Sequence, residues 1–177
     1  ICKMLNLESL QHIEPTKMHY YAEFVLGEDP LSALIKLFLL RSKVSELILK
    51  EILGEKLFST LLSIGLLLKD KSGIFSRIDL FAVEGLFIAT DHRYMFLEAD
   101  KIDEDPVMYL GMDSHGLVQT APRKTSYTTL DLCCGSGIQG LIASSYSKQV
   151  TSVDINPRAI RFSRFNAQLN GIKNIKN

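Results

Sequence analysis

Gly135-Ser136-Gly137-Ile138-Gln139-Gly140 forms a G-x-G-x-x-G run, Asp131 stands four residues ahead of it, and Asp154 follows Gly135 by 19 residues. Glycines at this spacing permit positive φ and remove the side chains that would hold a ligand away from the backbone. An acid closing the following strand can accept both hydroxyls of a ribose. A glycine pattern alone is weak evidence, but here strand, helix and acid stand in the places the chemistry needs. The ligand expected is one containing an adenosine-like nucleoside.

Two classes of protein use that geometry: nicotinamide or flavin dehydrogenases, and enzymes that use S-adenosylmethionine. Asp131 separates them. At the strand end facing the loop, its carboxylate would repel the pyrophosphate of a dinucleotide. S-adenosylmethionine has no phosphate there and presents an ammonium and a sulfonium, which a carboxylate attracts. The competing reading of Asp131 is an acid that only braces the loop or caps the helix. Cys133 and Cys134, next to the loop, read as small buried strand-end residues, since free cysteine behaves mainly as a compact hydrophobe. His12, His19, His92 and His115 are scattered without ligand spacing, so no metal site is expected. Arg158, Arg161 and Arg164 recur every three residues and read as a solvated helix face. With Arg123, Lys124, Lys148, Lys173 and Lys176 they make this half basic enough to attract RNA or an acidic protein.

Leu130-Asp131-Leu132-Cys133-Cys134-Gly135-Ser136-Gly137 resembles the first motif of class I methyltransferases, and Val153 through Ile160 resembles their second. Phe165 through Gly171 is similar to the matching helix of the "small-domain" branch, which includes release-factor glutamine and ribosomal-RNA guanine N2-methyltransferases. Tyr109-Leu110-Gly111-Met112-Asp113-Ser114 resembles the stretch upstream of the first motif in that branch. The resemblance implies that Gly135 and Gly137 lie against S-adenosylmethionine, that Asp131 contacts its ammonium, and that Asp154 binds its ribose with Ile155 beside the adenine. Asp113 and Ser114 would border the pocket. Cys133 departs from the pattern, standing where many relatives have the first glycine of the loop, next to the methionyl end. No catalytic residue is assigned, and the acceptor, a nitrogen in protein or RNA, is implied by the branch alone. The other readings are a nucleotide- or nucleic-acid-binding module without catalysis, and an NAD-dependent dehydrogenase.

These residues need a βαβα run to place them. Thr129–Cys133 reads as a short buried strand, Ile138–Tyr146 as a helix, Val150–Asp154 as a second strand, and Pro157–Asn170 as a helix closed by Gly171. Such units pair in parallel and open a doubly wound α/β sheet, the Rossmann-like methyltransferase fold. Two parallel strands would leave an open edge and one uncovered sheet face. The Asn-Pro-Pro-Tyr/Phe motif of the branch is absent, and the chain reads as a truncated piece cut at both ends. On that expectation it has no methyl-transfer activity by itself.

Ahead of this run, residues 1–29 read as a helical arm, and 30–100 as a small winged-helix-like α+β domain of three short helices, strands and a turn. The cofactor domain is expected over 101–177. The charge-rich run Asp100 to Pro106 marks the joint. Residues 1–122 carry 12 basic and 18 acidic groups (net −6), and 123–177 carry 8 and 2 (net +6). Between Pro30 and Asp100 the count is nine of each, so the leader lacks the basic face a nucleic-acid binder needs. It reads as a packing or substrate-positioning module. No stretch reaches the ~18–20 apolar residues of a bilayer span. Three cysteines fit neither a disulfide framework nor a zinc site, which with no leader-like segment reads as a cytoplasmic protein. The oligomeric state is not legible.

Overall fold

The computed structural model describes residues 1–92 and 105–177, so residues 100–104 of the expected joint lie outside the described residues. The chain divides into two compact units, Ile1–Asp79 and Leu80–Asn177. That division falls inside the leader expected over 30–100.

In the first unit, the expected helical arm is a series of single turns. α1 (Cys2–Leu5) ends at left-handed Asn6, 3-10 turns follow at Leu10–His12 and Pro15–Lys17, and α2 (Met18–Tyr20) runs into a π turn at Tyr21–Val25. Next come α3 (Pro30–Phe38), α4 (Glu46–Leu53) and α5 (Glu55–Ser63). Asp29 caps α3 by accepting from the Leu31 and Ser32 amides, with Pro30 in the first turn. β1 (Leu67–Asp70) pairs antiparallel with β2 (Gly73–Ser76), and Val44 adds a bridge to Ile74. Apolar residues from α3, α4, α5, β1 and β2 meet with Val44 in one core: Leu37, Val44, Leu49, Phe58, Leu67 and Ile74. A Cβ on Gly73 would lie 3.1 Å from the Val44 carbonyl oxygen, and its φ is +145°, so the close approach of Val44 requires glycine there.

The alternating run Ile74–Val83 looks like one strand in the sequence. It is two, because the Arg77 amide turns away to the Leu66 carbonyl (3.0 Å) and the Ser76 hydroxyl donates to the Ile78 carbonyl. β3 (Ile78–Val83) and β4 (Leu86–Asp91) form a separate hairpin. Its turn, Glu84-Gly85, has both residues at positive φ, as a tight hairpin demands.

In the second unit, α6 (Met112–Thr120) precedes β5 (Ser126–Leu132), α7 (Ile138–Ala143), β6 (Ser147–Val153), α8 (Pro157–Leu169) and β7 (Ile175–Lys176). The three strands are parallel in the order β5-β6-β7. Asp131 pairs with Ser152 in register, and both side chains are buried on the face where α7 lies. On the opposite face Leu130, Leu132 and Val153 are exposed, which corrects the reading of Thr129–Cys133 as a buried strand: its residues alternate, and in this strand Asp131 is the buried one. A third strand so soon after α8 is not legible in the sequence, since two residues give no periodicity.

Asn156 caps α8 by accepting from the Arg158 amide, with Pro157 at the first helical position. β4 lies along α8 through side chains of the helix. Asn170 bonds both backbone groups of Phe87, Asn166 both of Ala89, and Arg158 the carboxylate of Asp91. This corrects the reading of Arg158 as part of a solvated face. It is 20% exposed at its side chain and paired with a carboxylate that is wholly buried. Arg123 likewise pairs with Glu84.

Candidate cofactor cleft

At the carboxyl end of β5, where open α/β sheets bind their ligands, the five residues Cys133 to Gly137 turn the chain into α7. Three of them have left-handed backbone: Cys133 (φ 59°), Gly135 (φ 53°) and Gly137 (φ 86°). Cys133 therefore sits in a conformation natural to glycine, which accounts for glycine at this position in the motif it departs from. The same turn swings it out of the strand. Cys133 is exposed, against the expectation of two buried cysteines, and only Cys134 is buried. Burial, together with the charges of Asp131 and Asp154, pushes the Cys134 thiol up to about 11.

The loop borders a cleft of about 560 Å³ within the second unit, a size suited to a nucleoside-bearing ligand. It is walled by Asp131, Cys133 and Gly135 on the loop side, Asp154 and Asn156 at the end of β6, Asp113 and Ser114 on α6, and Val107 and Leu110 before α6. Six of the eight residues expected at the site thus come together: Asp131, Cys133, Gly135, Asp154, Asp113 and Ser114. Gly137 and Ile155 do not line the cleft. Gly137 faces α8 instead, where a Cβ would stand 2.5 Å from the Ser163 hydroxyl, so its role is close packing of loop on helix. Ile155 is 99% exposed. Around Gly135, by contrast, a Cβ would meet nothing within 4 Å, which leaves open space over its backbone.

Both acids of the motif are engaged by backbone. Asp131 Oδ2 accepts from the Gly140 amide in the first turn of α7 (2.9 Å), so the bracing role weighed for it is real. Its other oxygen takes no hydrogen bond from the described residues, and the side chain borders the cleft. Burial, the largest influence, raises the Asp131 pKa above the usual carboxylate range, the charge of Asp154 adds to this, and the Gly140 amide opposes it. Asp154 Oδ2 accepts from the Gly135 amide (2.8 Å) and Oδ1 from the Asn156 amide (2.9 Å). Each oxygen keeps a lone pair for a ribose hydroxyl.

Three carboxylates, Asp113, Asp131 and Asp154, line this cleft, and the described lining residues include no Lys, Arg or His. The loop amide at Gly135 and the helix amide at Gly140, two donors that a phosphate would use, are already given to carboxylates. The surroundings favour a cationic ligand over a diphosphate. His115 does not line the cleft, and its burial lowers its pKa. No group of three or more His, Cys, Asp or Glu among the described residues is placed to hold a metal ion.

The sequence reading missed Gln139, whose side-chain amide donates to the Ser114 carbonyl (3.0 Å) and ties α7 to α6 beside the cleft. It also missed Asn156, although Asn156-Pro157 is a recognisable helix start.

Residues 123–176 match a family model described as a methyltransferase domain. The chain is 31% identical over 83 residues to a ribosomal protein L11 methyltransferase of Cupriavidus pinatubonensis, a match covering 43% of this chain and 28% of that protein. It therefore spans well under a third of the length of that relative. Among solved structures, TYW2 of M. jannaschii in complex with AdoMet aligns at 17% identity and TM-score 0.41, over 62% of this chain and 44% of that one. Trm5b of Pyrococcus abyssi aligns at 15% and 0.42, over 62% and 33%. The parallel sheet and the glycine loop at its carboxyl end make the second unit a Rossmann-like α/β domain, and its residues 123–176 are similar to a methyltransferase domain. Among the described residues no helix is long and apolar enough to cross a membrane.

Proposed function

We propose that the Leu80–Asn177 unit is the S-adenosylmethionine-binding part of a class I methyltransferase of the small-domain branch, serving a nitrogen acceptor in protein or RNA. The observation that carries this reading is the charge of the cleft, three carboxylates with no cation among the described lining residues, around a loop whose Gly135 amide is held by Asp154. An NAD-type diphosphate would meet repulsion there without the amides that normally repay it.

The residues fit the cofactor. Asp131 would hold the ammonium, Asp154 the ribose hydroxyls, and the open space over Gly135 would take the body of the ligand. Bound there, S-adenosylmethionine supplies a methyl group on a sulfonium, which needs no acid to activate the leaving group. What the chain contributes is binding, orientation and exclusion of water. Asp131 and Asp154, themselves fixed by backbone amides, hold the two polar ends of the ligand at a set separation. Val107 and Leu110, both buried, make the apolar side. The L11 enzyme acts on a ribosomal protein by its name, which supports a protein acceptor as one member of the proposed class.

We read the three helices and hairpin of the first unit as winged-helix-like, on the order α3, the Val44 bridge, α4, α5, β1 and β2. Its lysines support a positioning role over nucleic-acid binding. Lys43 pairs with Asp70, Lys50 with Glu46 and Glu55, and Lys69 with Glu46.

The test is calorimetry of the full chain with S-adenosylhomocysteine, adenosine and NAD. The reading expects S-adenosylhomocysteine to bind more tightly than adenosine, and Asp131→Asn to remove most of that difference. Binding of NAD as tight as that of S-adenosylhomocysteine would overturn it.

A further inference from the structure

The cleft has two walls that belong to different parts of the chain. One is the segment 106–110 ahead of α6, and the other is the start of α8 with Asp154 and Asn156. A buried carboxylate ties them to each other. Asp91, at the end of β4 and 0% exposed, accepts through Oδ2 from the Val107 amide (2.8 Å) and from Arg158 Nη1 (2.7 Å), while Oδ1 takes Arg158 Nη2. Asn156 adds a second tie, its side-chain amide donating to the Asp105 carbonyl (3.1 Å).

We propose that Asp91 and Arg158 are positioning residues that set the separation of the two cleft walls, Asp91 gripping Val107 and Arg158 locking Asp91 to α8. The proposal rests on the cofactor reading for its functional consequence, but the tie itself does not. A buried ion pair is a poor source of stability compared with an apolar pair of similar volume, so geometry is what it contributes. The guanidinium fork fixes both oxygens in a plane, leaving Oδ2 aimed at the Val107 amide. The ring of Phe162 lies 5.3 Å from the guanidinium carbon and stacks it in place. A lysine at 158 would keep the charge and lose the fork. A methionine would lose both.

The experiment compares the full wild-type chain with Arg158→Lys and Arg158→Met by amide hydrogen exchange and by calorimetry with S-adenosylhomocysteine. The Val107 amide reports the tie, and the Val150 amide, bonded to the Asn174 carbonyl in the same unit, reports general loosening. In Arg158→Met, Val107 should exchange about tenfold faster or more relative to Val150. Affinity should fall by roughly tenfold, about what one misplaced hydrogen bond is worth. Arg158→Lys should lie between. A folded Arg158→Met chain with wild-type exchange at Val107 overturns the proposal. Should that variant not fold, wild-type exchange and affinity in Arg158→Lys overturn it equally. If the wild-type chain does not bind S-adenosylhomocysteine, yet Arg158→Met shows the faster exchange at Val107, the cofactor reading fails and the tie stands.

Discussion

Asn166 on α8 meets the backbone of Ala89 on β4 as another strand would, its carboxamide accepting from the Ala89 amide (2.8 Å) and donating to the Ala89 carbonyl (2.9 Å). The same Nδ2 also donates to the Ser136 carbonyl in the glycine loop (2.8 Å). One buried side chain thus joins the hairpin, the helix and the glycine loop.

Replacing Asn166 by Ala should cost about 3 kcal/mol, because it strands a buried amide and carbonyls that each cost ~1–3 kcal/mol when unpaired. Denaturant unfolding of the two chains measures it. Asn166→Asp should be at least as unstable at neutral pH, where its carboxylate faces two carbonyls, and should recover as pH falls and the carboxyl gains a proton to donate. A loss below 1 kcal/mol for the alanine variant would show that β4 is held by other contacts.

Asp131 should trade stability for affinity. Its pKa is raised in the fold, so its contribution favours the folded state at acid pH and is lost as pH rises through the raised value. At neutral pH the ionised, buried carboxylate is a cost. Asp131→Asn keeps an oxygen for the Gly140 amide and removes that charge. The variant should melt higher than wild type at pH 7, with the gap closing toward the ordinary carboxylate range, while affinity for S-adenosylmethionine drops about tenfold or more. A variant that melts lower at pH 7 contradicts this account.

Cofactor binding should also release protons between the ordinary carboxylate range and the raised pKa of Asp131, since a bound ammonium favours the ionised carboxylate. Calorimetry in buffers of different ionisation enthalpy reads the release directly. Identical apparent enthalpies in such buffers across that window would place the ammonium elsewhere.

Gly140→Ala should destabilise by about 1–3 kcal/mol, the usual cost of overpacking, because the new Cβ would stand 2.6 Å from the Ser152 hydroxyl and 2.9 Å from Asp131 Oδ2. Ser152→Ala should be near neutral by itself, as the buried Ser152 hydroxyl has no hydrogen-bond partner among the described residues. Combined, the two should be less than additive in a double-mutant cycle.

Cys133→Gly should stabilise the chain by about 1 kcal/mol, the left-handed strain of a non-glycine residue less the extra freedom glycine has when unfolded. A rise in melting temperature with affinity for S-adenosylhomocysteine preserved is the expected result. A fall in either would give the exposed thiol a role in the cleft.

The sequence by itself determined the glycine loop and the elements that carry it. The G-x-G-x-x-G spacing, Asp131 at one strand end, Asp154 after the next, and Pro157 at a helix start are local patterns, and local backbone preference is enough to realise them. The switch of charge after residue 122 falls inside the second unit, so it did not mark where the two units divide. Only the tertiary structure decided which of these residues share a cleft. Gly137 is turned to Ser163 and Ile155 stands outside, while Val107, Gln139 and Asn156 come in. It also decided that Arg158, one of three evenly spaced arginines, is the half-buried partner of Asp91, which lies 67 residues away. Periodicity reports which residues share a helix face. It cannot report that a hairpin from elsewhere in the chain brings a carboxylate to that face, because such a pairing depends on long-range packing and leaves no local pattern.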